Sequence, residues 1–530
     1  MGDLASERIG LVPAALGGWS GAAGWDALEG RPFEAPERRR AAVAALASIR
    51  PVLAVDPTPR VRLGLRAGWT HVRALRADEG LAAAAAIETL LTDLPAPAAC
   101  AVRAQLDLLR AAALAVADRP EAALAFARRG LESGRLGSEA ALGASIIRFV
   151  QWRAGDLAGF YAGDPSPRSE GGMSTAFDRA LEAAWEAQQL RFASAKRLAQ
   201  DAIADGFSSA TLFSISLLAE LAYEAGELDT AWALLEPRLP AFRSRALADV
   251  AVRSYPLMAR LAARRGEAQL AAFLLREGET LGERRRWPRL LAACLAERVE
   301  LYVRDGRLAD ARDCSDRLAA LAQGDTPAPH LTDLAAAACL AASRLALATG
   351  PDSSVVAELR RLHHDAVARN DLYLAVRISV RLVDALAAVG DADEGARLLT
   401  RVLAIGAGSG LYQTLLDGGP RVGVLLAELS AAREGAGGLG DMAAYAEHLA
   451  RHWPQARQAP RGIQRTTGPL SGRECAILRL VSRGYSNKQI GRELGIAFET
   501  VKTHAKNIYG KLDARNRAEA VMRAGRLGLI

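Results

Sequence analysis

Residues 469–512 read PLSGRECAILRLVSRGYSNKQIGRELGIAFETVKTHAKNIYGKL. Ser471 with Glu474 three positions on can satisfy reciprocal backbone donors, so a helix is expected from about Gly472. Ile477, Leu478, Leu480 and Val481 give it an apolar face, and Gly484 supplies a left-handed stop. Ser486 can cap a short second helix that turns Ile490 and Leu494 inward and closes at Gly495. A third helix is expected over about 498–512, with Val501, Ala505, Ile508 and Leu512 as its apolar stripe. Glu499, Lys502, Thr503, Lys506 and Gly510 fall on the opposite side, so two lysines one turn apart point outward together. Asn516 can cap a fourth helix to about Leu527, with Ala520, Val521 and Ala524 on its apolar face. The segment therefore reads as a compact four-helix unit.

Charge concentrates in the same place. Four of the chain's five lysines are Lys488, Lys502, Lys506 and Lys511, and residues 461–530 hold fourteen Lys and Arg against five Asp and Glu, a net of +9. The 530-residue chain carries 67 basic and 60 acidic residues, or +7, so the first 460 residues sum to −2. A basic module on a nearly neutral body points to a localised polyanion contact, because phosphate neutralisation needs clustered cations. Two short helices joined by a tight turn, the second with an exposed basic face, have the layout that lays a helix in the DNA major groove.

The run SGRECAILRLVSRGYSNKQIGRELGIAFETVKTHAKNIYGKLDARNRAEAV resembles the LuxR-type DNA-binding domain, most tellingly in YSNKQIGRELGI, TVKTH and NIYGKL. The resemblance covers about 60 residues. It implies that Lys502, Thr503 and Lys506 face the groove, while Ser486, Asn487, Lys488 and Thr500 position the phosphate backbone. For Thr503, contact with a thymine methyl and simple surface filling stay equally open. Ser486 is a helix cap on either reading, and His504 beside the buried stripe is read as a packed side chain. The sequence departs from the family at Ala497, where a Ser commonly caps the recognition helix. Losing that hydroxyl costs about 0.5–2 kcal/mol of helix stability. One recognition helix covers only a half-site, so a homodimer on double-stranded DNA is expected. Val521 and Ala524 are open between pairing two copies and packing within the unit.

The body is repetitive. Asp78-Glu79-Gly80, Asp118-Arg119-Pro120-Glu121, Gly155-Asp156, Gly226-Glu227, Gly266-Glu267, Gly306-Arg307, Gly350-Pro351-Asp352 and Gly390-Asp391 each precede an Ala-rich amphipathic stretch. Several of these marks recur every 40 residues, with room for a degenerate unit around Gln188. A period near 40 is that of a two-helix repeat, and no segment shows the sustained alternation of a strand. Such units bury their apolar faces only by stacking. The expected fold class is all-α: a tetratricopeptide-like α-solenoid followed by the four-helix LuxR-type domain. Segment 411–430, LYQTLLDGGPRVGVLLAELS, with residues 444–453 resembles the last repeat of the large LuxR regulators of the MalT type. The domain reading is residues 1–36 as an irregular segment or cap, 37–454 as the repeat superhelix, 455–468 as a linker and 469–530 as the DNA-binding domain. Trp152, Trp185, Tyr223, Trp232, Trp287 and Tyr302 sit at repeat positions, where packing ranks ahead of lining a groove.

Other chemistries find little support. The large relatives begin with an ATPase domain, whose phosphate loop needs a glycine-rich turn and a lysine. The body holds only Lys196, and the one Gly-Lys pair, Gly510-Lys511, is followed by Leu512. ATP hydrolysis and a phospho-receiver are excluded on this reading, and no enzyme and no cofactor is expected. Cys100, Cys294, Cys314, Cys339 and Cys475 lack metal spacing and are read as buried apolar residues of a reducing, bacterial cytoplasm. His363 with His364 and His448 with His452 do not complete a metal site. The start MGDLASERIGLV lacks the basic residues of a secretion signal, and no run of about 18 apolar residues suggests a membrane span. The expected function is a transcription regulator, an activator by family habit and then in touch with RNA polymerase, whose repeats receive a small-molecule or protein signal. The alternatives are a protein-binding scaffold tethered to DNA, and a truncated regulator working with a separate nucleotide-binding chain.

Overall fold

A computed structural model describes residues 57–132, 138–162, 173–203, 208–323, 332–351, 353–433 and 440–453, and in the C-terminal part residues 477–478, 480–482, 485–494, 501–502, 504–505, 508–509, 512, 514 and 517–526. The chain divides into two compact units, residues 1–453 and 454–530.

In the first unit the described helices form nine hairpins. They are α1 (Pro57–Arg73) with α2 (Ala77–Glu88), α3 (Ala96–Val116) with α4 (Pro120–Glu132), α5 (Ser138–Ala154) with α6 (Leu157–Ala162), and α7 (Met173–Gln188) with α8 (Phe192–Asp201). Next come α9 (Ser209–Glu224) with α10 (Leu228–Leu235) and the short α11 (Leu239–Arg245), α12 (Ala248–Arg264) with α13 (Ala268–Arg285), and α14 (Pro288–Arg304) with α15 (Leu308–Ala322). The series ends in α16 (Thr332–Thr349) with α17 (Ser353–Ala368), α18 (Leu372–Ala388) with α19 (Ala392–Ser409), and the short closing helices α20 (Gln413–Leu416), α21 (Pro420–Arg433) and α22 (Gly440–His452). The first helix of each hairpin packs on the first helix of the next, from α1 on α3 through to α16 on α18. The expected all-α solenoid of two-helix repeats is what is found.

A single backbone device repeats at the hairpin turns. Leu75, Asp118, Gly155, Leu190, Gly226, Gly266, Gly306, Gly350 and Gly390 all have positive φ. At eight of the nine the residue after the positive-φ one donates its N–H to the carbonyl five positions back, as Arg119 does to Leu114 at 2.9 Å, Glu227 to Ala222 at 2.8 Å, Glu267 to Ala262 at 2.9 Å and Arg307 to Tyr302 at 2.8 Å; at Gly350 the next residue is Pro351, which has no N–H to give. This is the Schellman closure, which satisfies carbonyls that a helix end would otherwise leave orphaned. It explains the periodic glycines, because a left-handed residue with a Cβ costs about 1–2 kcal/mol.

Two turns depart from the sequence reading. The first left-handed position is Leu75, three residues before the Asp78-Glu79-Gly80 mark. Gly80 is buried inside α2, where a Cβ would lie 2.8 Å from Val72 Cγ2, so that glycine serves close helix packing. The degenerate unit placed around Gln188 turns at Leu190. Leu75 is 5% exposed, so its burial in the core offsets its strained backbone.

The core runs along the stack. Trp185 and Trp287 are almost wholly buried, as are Trp152, Tyr223 and Trp232. Trp185 stacks on Phe160 at 5.3 Å and Trp152 meets Phe213 edge-on at 5.6 Å, so these aromatics pack, and none of the five presents a groove face. Cys294 and Cys314 are buried, but Cys100 is exposed, against the expectation of burial; it lies on the outer face of α3.

The turns of early repeats dock on late ones. Trp287 Nε1 donates to Val116 O at 3.2 Å, and Asn370 Nδ2 donates to Gly155 O at 3.2 Å. Tyr412 N donates to Glu224 O at 2.8 Å, while the Glu224 carboxylate accepts from Thr414 N at 3.0 Å. At the centre of this docking lies a buried ion network. Arg289, 2% exposed at its side chain, pairs with Asp118 and, at 3.0 Å, with Asp249. Arg153 meets Asp249 at 3.2 Å and Asp333 at 2.9 Å. Burial alone would lower the Arg289 pKa, but Asp118 and Asp249 outweigh it and hold the guanidinium well above its ordinary value. Burial pushes the Asp333 carboxyl up, yet Arg153 and Arg289 prevail and hold it at about 2.

Gly155 shows how specific the docking is. A Cβ there would fall 2.0 Å from Arg369 O, whereas a Cβ at Gly266 would meet nothing within 4 Å. Gly266→Ala is therefore expected to cost about 1–2 kcal/mol from backbone strain alone. Gly155→Ala adds a clash with fixed backbone and should cost roughly 3 kcal/mol or more. Denaturant midpoints of the two variants check this, and equal shifts would refute the docking of this turn.

Candidate nucleic-acid interface

The second unit is organised by its apolar stripes. Ile477, Leu478, Val481, Ile490, Val501, Ile508, Leu512, Ala514, Ala520 and Ala524 form one buried cluster, with Leu480, Tyr509 and Val521 packed against it. Ala505 is also buried, at 3% exposure, so the whole expected stripe of the third helix faces inward. Residues 501, 502, 504, 505, 508 and 509 are helical, and Lys502 is exposed among them. That is the outcome of helical spacing: once Val501 and Ala505 are buried, a residue one position past Val501 swings about 100° away from the core.

The second helix, α23 (Asn487–Leu494), opens with a reciprocal cap. Ser486 Oγ accepts from Gln489 N at 3.4 Å, and Gln489 Oε1 accepts from Ser486 N at 2.8 Å. This is a capping box, written in the sequence as Ser486-x-x-Gln489, of which only the serine half was read. Ser486 and Lys488 are exposed and Asn487 is half-buried. The last helix, α24 (Arg517–Arg526), puts Ala520 and Ala524 into the same buried cluster. Arg517 Nη2 donates to Val481 O at 2.7 Å and to Tyr485 O at 2.8 Å, tying down the carbonyls where the first helix ends. Sequence reasoning did not pick out Arg517, since its partners lie 32 and 36 residues away.

Of the seven residues expected at the interface, Ser486, Asn487, Lys488 and Lys502 are described; Thr500, Thr503 and Lys506 lie outside the described residues, as do Ala497 and Lys511. His504 is half-buried beside the stripe. Ala524 is fully buried in its own unit and Val521 packs against that core. Packing within the unit is therefore the role of Ala524. Among the described residues no group of three or more His, Cys, Asp or Glu could hold a metal ion, and no helix is long and apolar enough to cross a membrane.

Ser486→Ala removes half of the box. It should cost about 1 kcal/mol of helix stability, which makes amide exchange across residues 487–494 about fivefold faster in the full chain. Unchanged exchange would mean that Gln489 alone holds the helix start.

A short capped helix followed by a helix with an inward apolar stripe and an outward lysine, held by a basic last helix, is the build of a helix-turn-helix module. Residues 468–524 match the bacterial regulatory proteins of the luxR family, and this segment is a domain of that family. The chain is 32% identical over 166 residues to the HTH-type transcriptional regulator MalT of Vibrio cholerae serotype O1, covering 28% of this chain and 18% of the relative. It is 51% identical over 61 residues to the regulator of the same name from Yersinia pestis, covering 12% of this chain and 7% of that one. The matched stretches thus span less than a fifth of those relatives. Among solved structures, a Rap protein complexed with Competence and Sporulation Factor overlaps 74% of this chain and 98% of its own, at 13% identity and a TM-score of 0.41.

Proposed function

We propose that this chain is a DNA-binding transcription regulator in which the LuxR-family unit reads DNA and the helical-repeat body receives the controlling signal. The observation that carries the reading is the inward Val501, Ala505, Ile508 and Leu512 stripe with Lys502 outward, inside a segment that matches the luxR family. On this reading Lys502, Thr503 and Lys506 enter the major groove, and Ser486, Asn487, Lys488 and Thr500 hold the phosphates. Two copies pair so that their recognition helices meet half-sites about one DNA turn apart. On this reading the chain activates transcription in contact with RNA polymerase, and the repeat body controls whether the DNA-binding unit is available.

Selection of bound fragments from genomic DNA by the purified chain tests the core of this reading. Enrichment of a two-fold symmetric motif with half-sites about 10 base pairs apart is the expected result. Binding without sequence preference would reduce the unit to a non-specific tether. Availability is tested separately: if residues 461–530 bind the selected site no more tightly than the full chain, the body does not restrain the DNA-binding unit.

A further inference from the structure

Among the described residues of the body many arginines pair with acids of another helix, as Arg129 does with Asp107 and Arg253 with Glu220, whereas five arginines without such a pair gather round one cavity. A cavity of about 400 Å³ is lined by Arg76, Arg119, Arg284, Arg285 and Arg286, together with Asp78 and Glu79. Its positive excess is three charges, in a body whose first 460 residues sum to −2. Arg76, Arg119, Arg284 and Arg286 make no ion pair among the described residues, and Arg285 is bonded to a neutral carbonyl, Leu75 O. Burial first, and then Arg284 close by, holds the Arg285 guanidinium below its ordinary value against the opposing pull of Glu79. Arg286 is left-handed at φ 54°, and Trp287 N donates to Gly282 O at 2.8 Å, so the closure that ends the helix fixes the backbone carrying these arginines.

The cavity has a rigid floor. Leu75 and Trp287 are buried, and the Trp287 ring is fixed by its bond to Val116 O. Residues 74–81 and 116–119 belong to the first two hairpins, while 284–287 join the sixth to the seventh. Whatever fills the cavity therefore touches segments more than 160 residues apart.

We propose that this cavity is a binding site for a small polyanion carrying two or more phosphate groups. Guanidinium forks match phosphate oxygens two at a time, the cavity is of the size of small-ligand sites, and three excess charges call for more than one anionic group. The site stands on the geometry of the body and is independent of the DNA-binding reading. Its occupant clamps the first two hairpins to the sixth and seventh.

Calorimetric titration of the full chain with inorganic pyrophosphate tests the site, with citrate as the carboxylate comparison. One pyrophosphate per chain is expected, bound more tightly than citrate. Arg119→Ala plus Arg284→Ala, at exposed positions without an ion pair among the described residues, should weaken it at least tenfold while leaving the helical spectrum unchanged. Lys502→Ala should leave it unaltered, since that residue belongs to the other unit. Absence of pyrophosphate binding, equal binding by the double arginine variant, loss on Lys502→Ala, or tighter binding of citrate would each overturn the proposal.

Discussion

Arg289→Ala is expected to destabilise the repeat body by about 3–5 kcal/mol, the cost of leaving buried carboxylates without their counter-ion. Arg289 neutralises Asp118 and Asp249, whose side chains are 4% and 5% exposed, and it also reaches Asp333. An exposed pair gives the contrast: Arg304→Ala removes the contact with Asp305 at 37% and 46% exposure, and should cost no more than about 1 kcal/mol. Denaturant midpoints read both. If Arg289→Ala behaves like Arg304→Ala, the network is not what joins early repeats to late ones. Adding Asp118→Asn to the Arg289 variant removes one orphaned charge and keeps a residue tolerant of the left-handed backbone, so part of the loss should return.

The same network has an acid signature. Asp333 is held at about 2, below its ordinary 3.8, so its contribution is complete above about pH 4 and is lost as pH falls through 2. In Arg289→Ala that carboxyl keeps Arg153 but loses Arg289, the second of the arginines that hold it down. Its acid transition should begin at higher pH than in the parent chain.

The second large effect falls on DNA binding. Lys502→Ala plus Lys506→Ala is expected to weaken binding to the selected site by on the order of 10²-fold or more, since each groove contact is worth about 1–3 kcal/mol. The fold should persist, because the stripe that holds the helix, Val501, Ala505 and Ile508, is untouched and buried. Lys488→Ala should act differently: a phosphate contact weakens all sequences alike and lowers the salt slope by about one. Fluorescence anisotropy at several salt concentrations separates the two patterns. Full affinity in the double variant would remove the third helix from the groove.

The repeat architecture was legible because its turn is a backbone requirement. A Schellman closure needs a left-handed residue, glycine meets that need at least strain, and five of the eight closures at the hairpin turns use it. Asp118 was found too, as a short polar residue that tolerates the left-handed region. Leu75 and Leu190 were missed, since nothing in a leucine announces positive φ; the surrounding core decides it. The LuxR-family unit was legible for a similar reason. Helical spacing separates Val501, Ala505, Ile508 and Leu512 from Lys502, and that separation is a property of the sequence itself. Its capping box was half read, although Gln489 stood three residues from Ser486.

By itself, then, the sequence determined the elements: two-helix repeats, their period, the basic unit at the end and which face of its third helix turns outward. These follow from local rules of turn geometry and helical periodicity, which act over a few residues. The tertiary structure alone decided what the repeats do to one another. Arg289 meets Asp118 across 171 positions, Gly155 lies against Arg369, and five arginines from three hairpins and one junction converge on a single cavity. Charge pairing and close backbone approach depend on distance in space, and no local pattern encodes which of 67 basic residues will meet which acid.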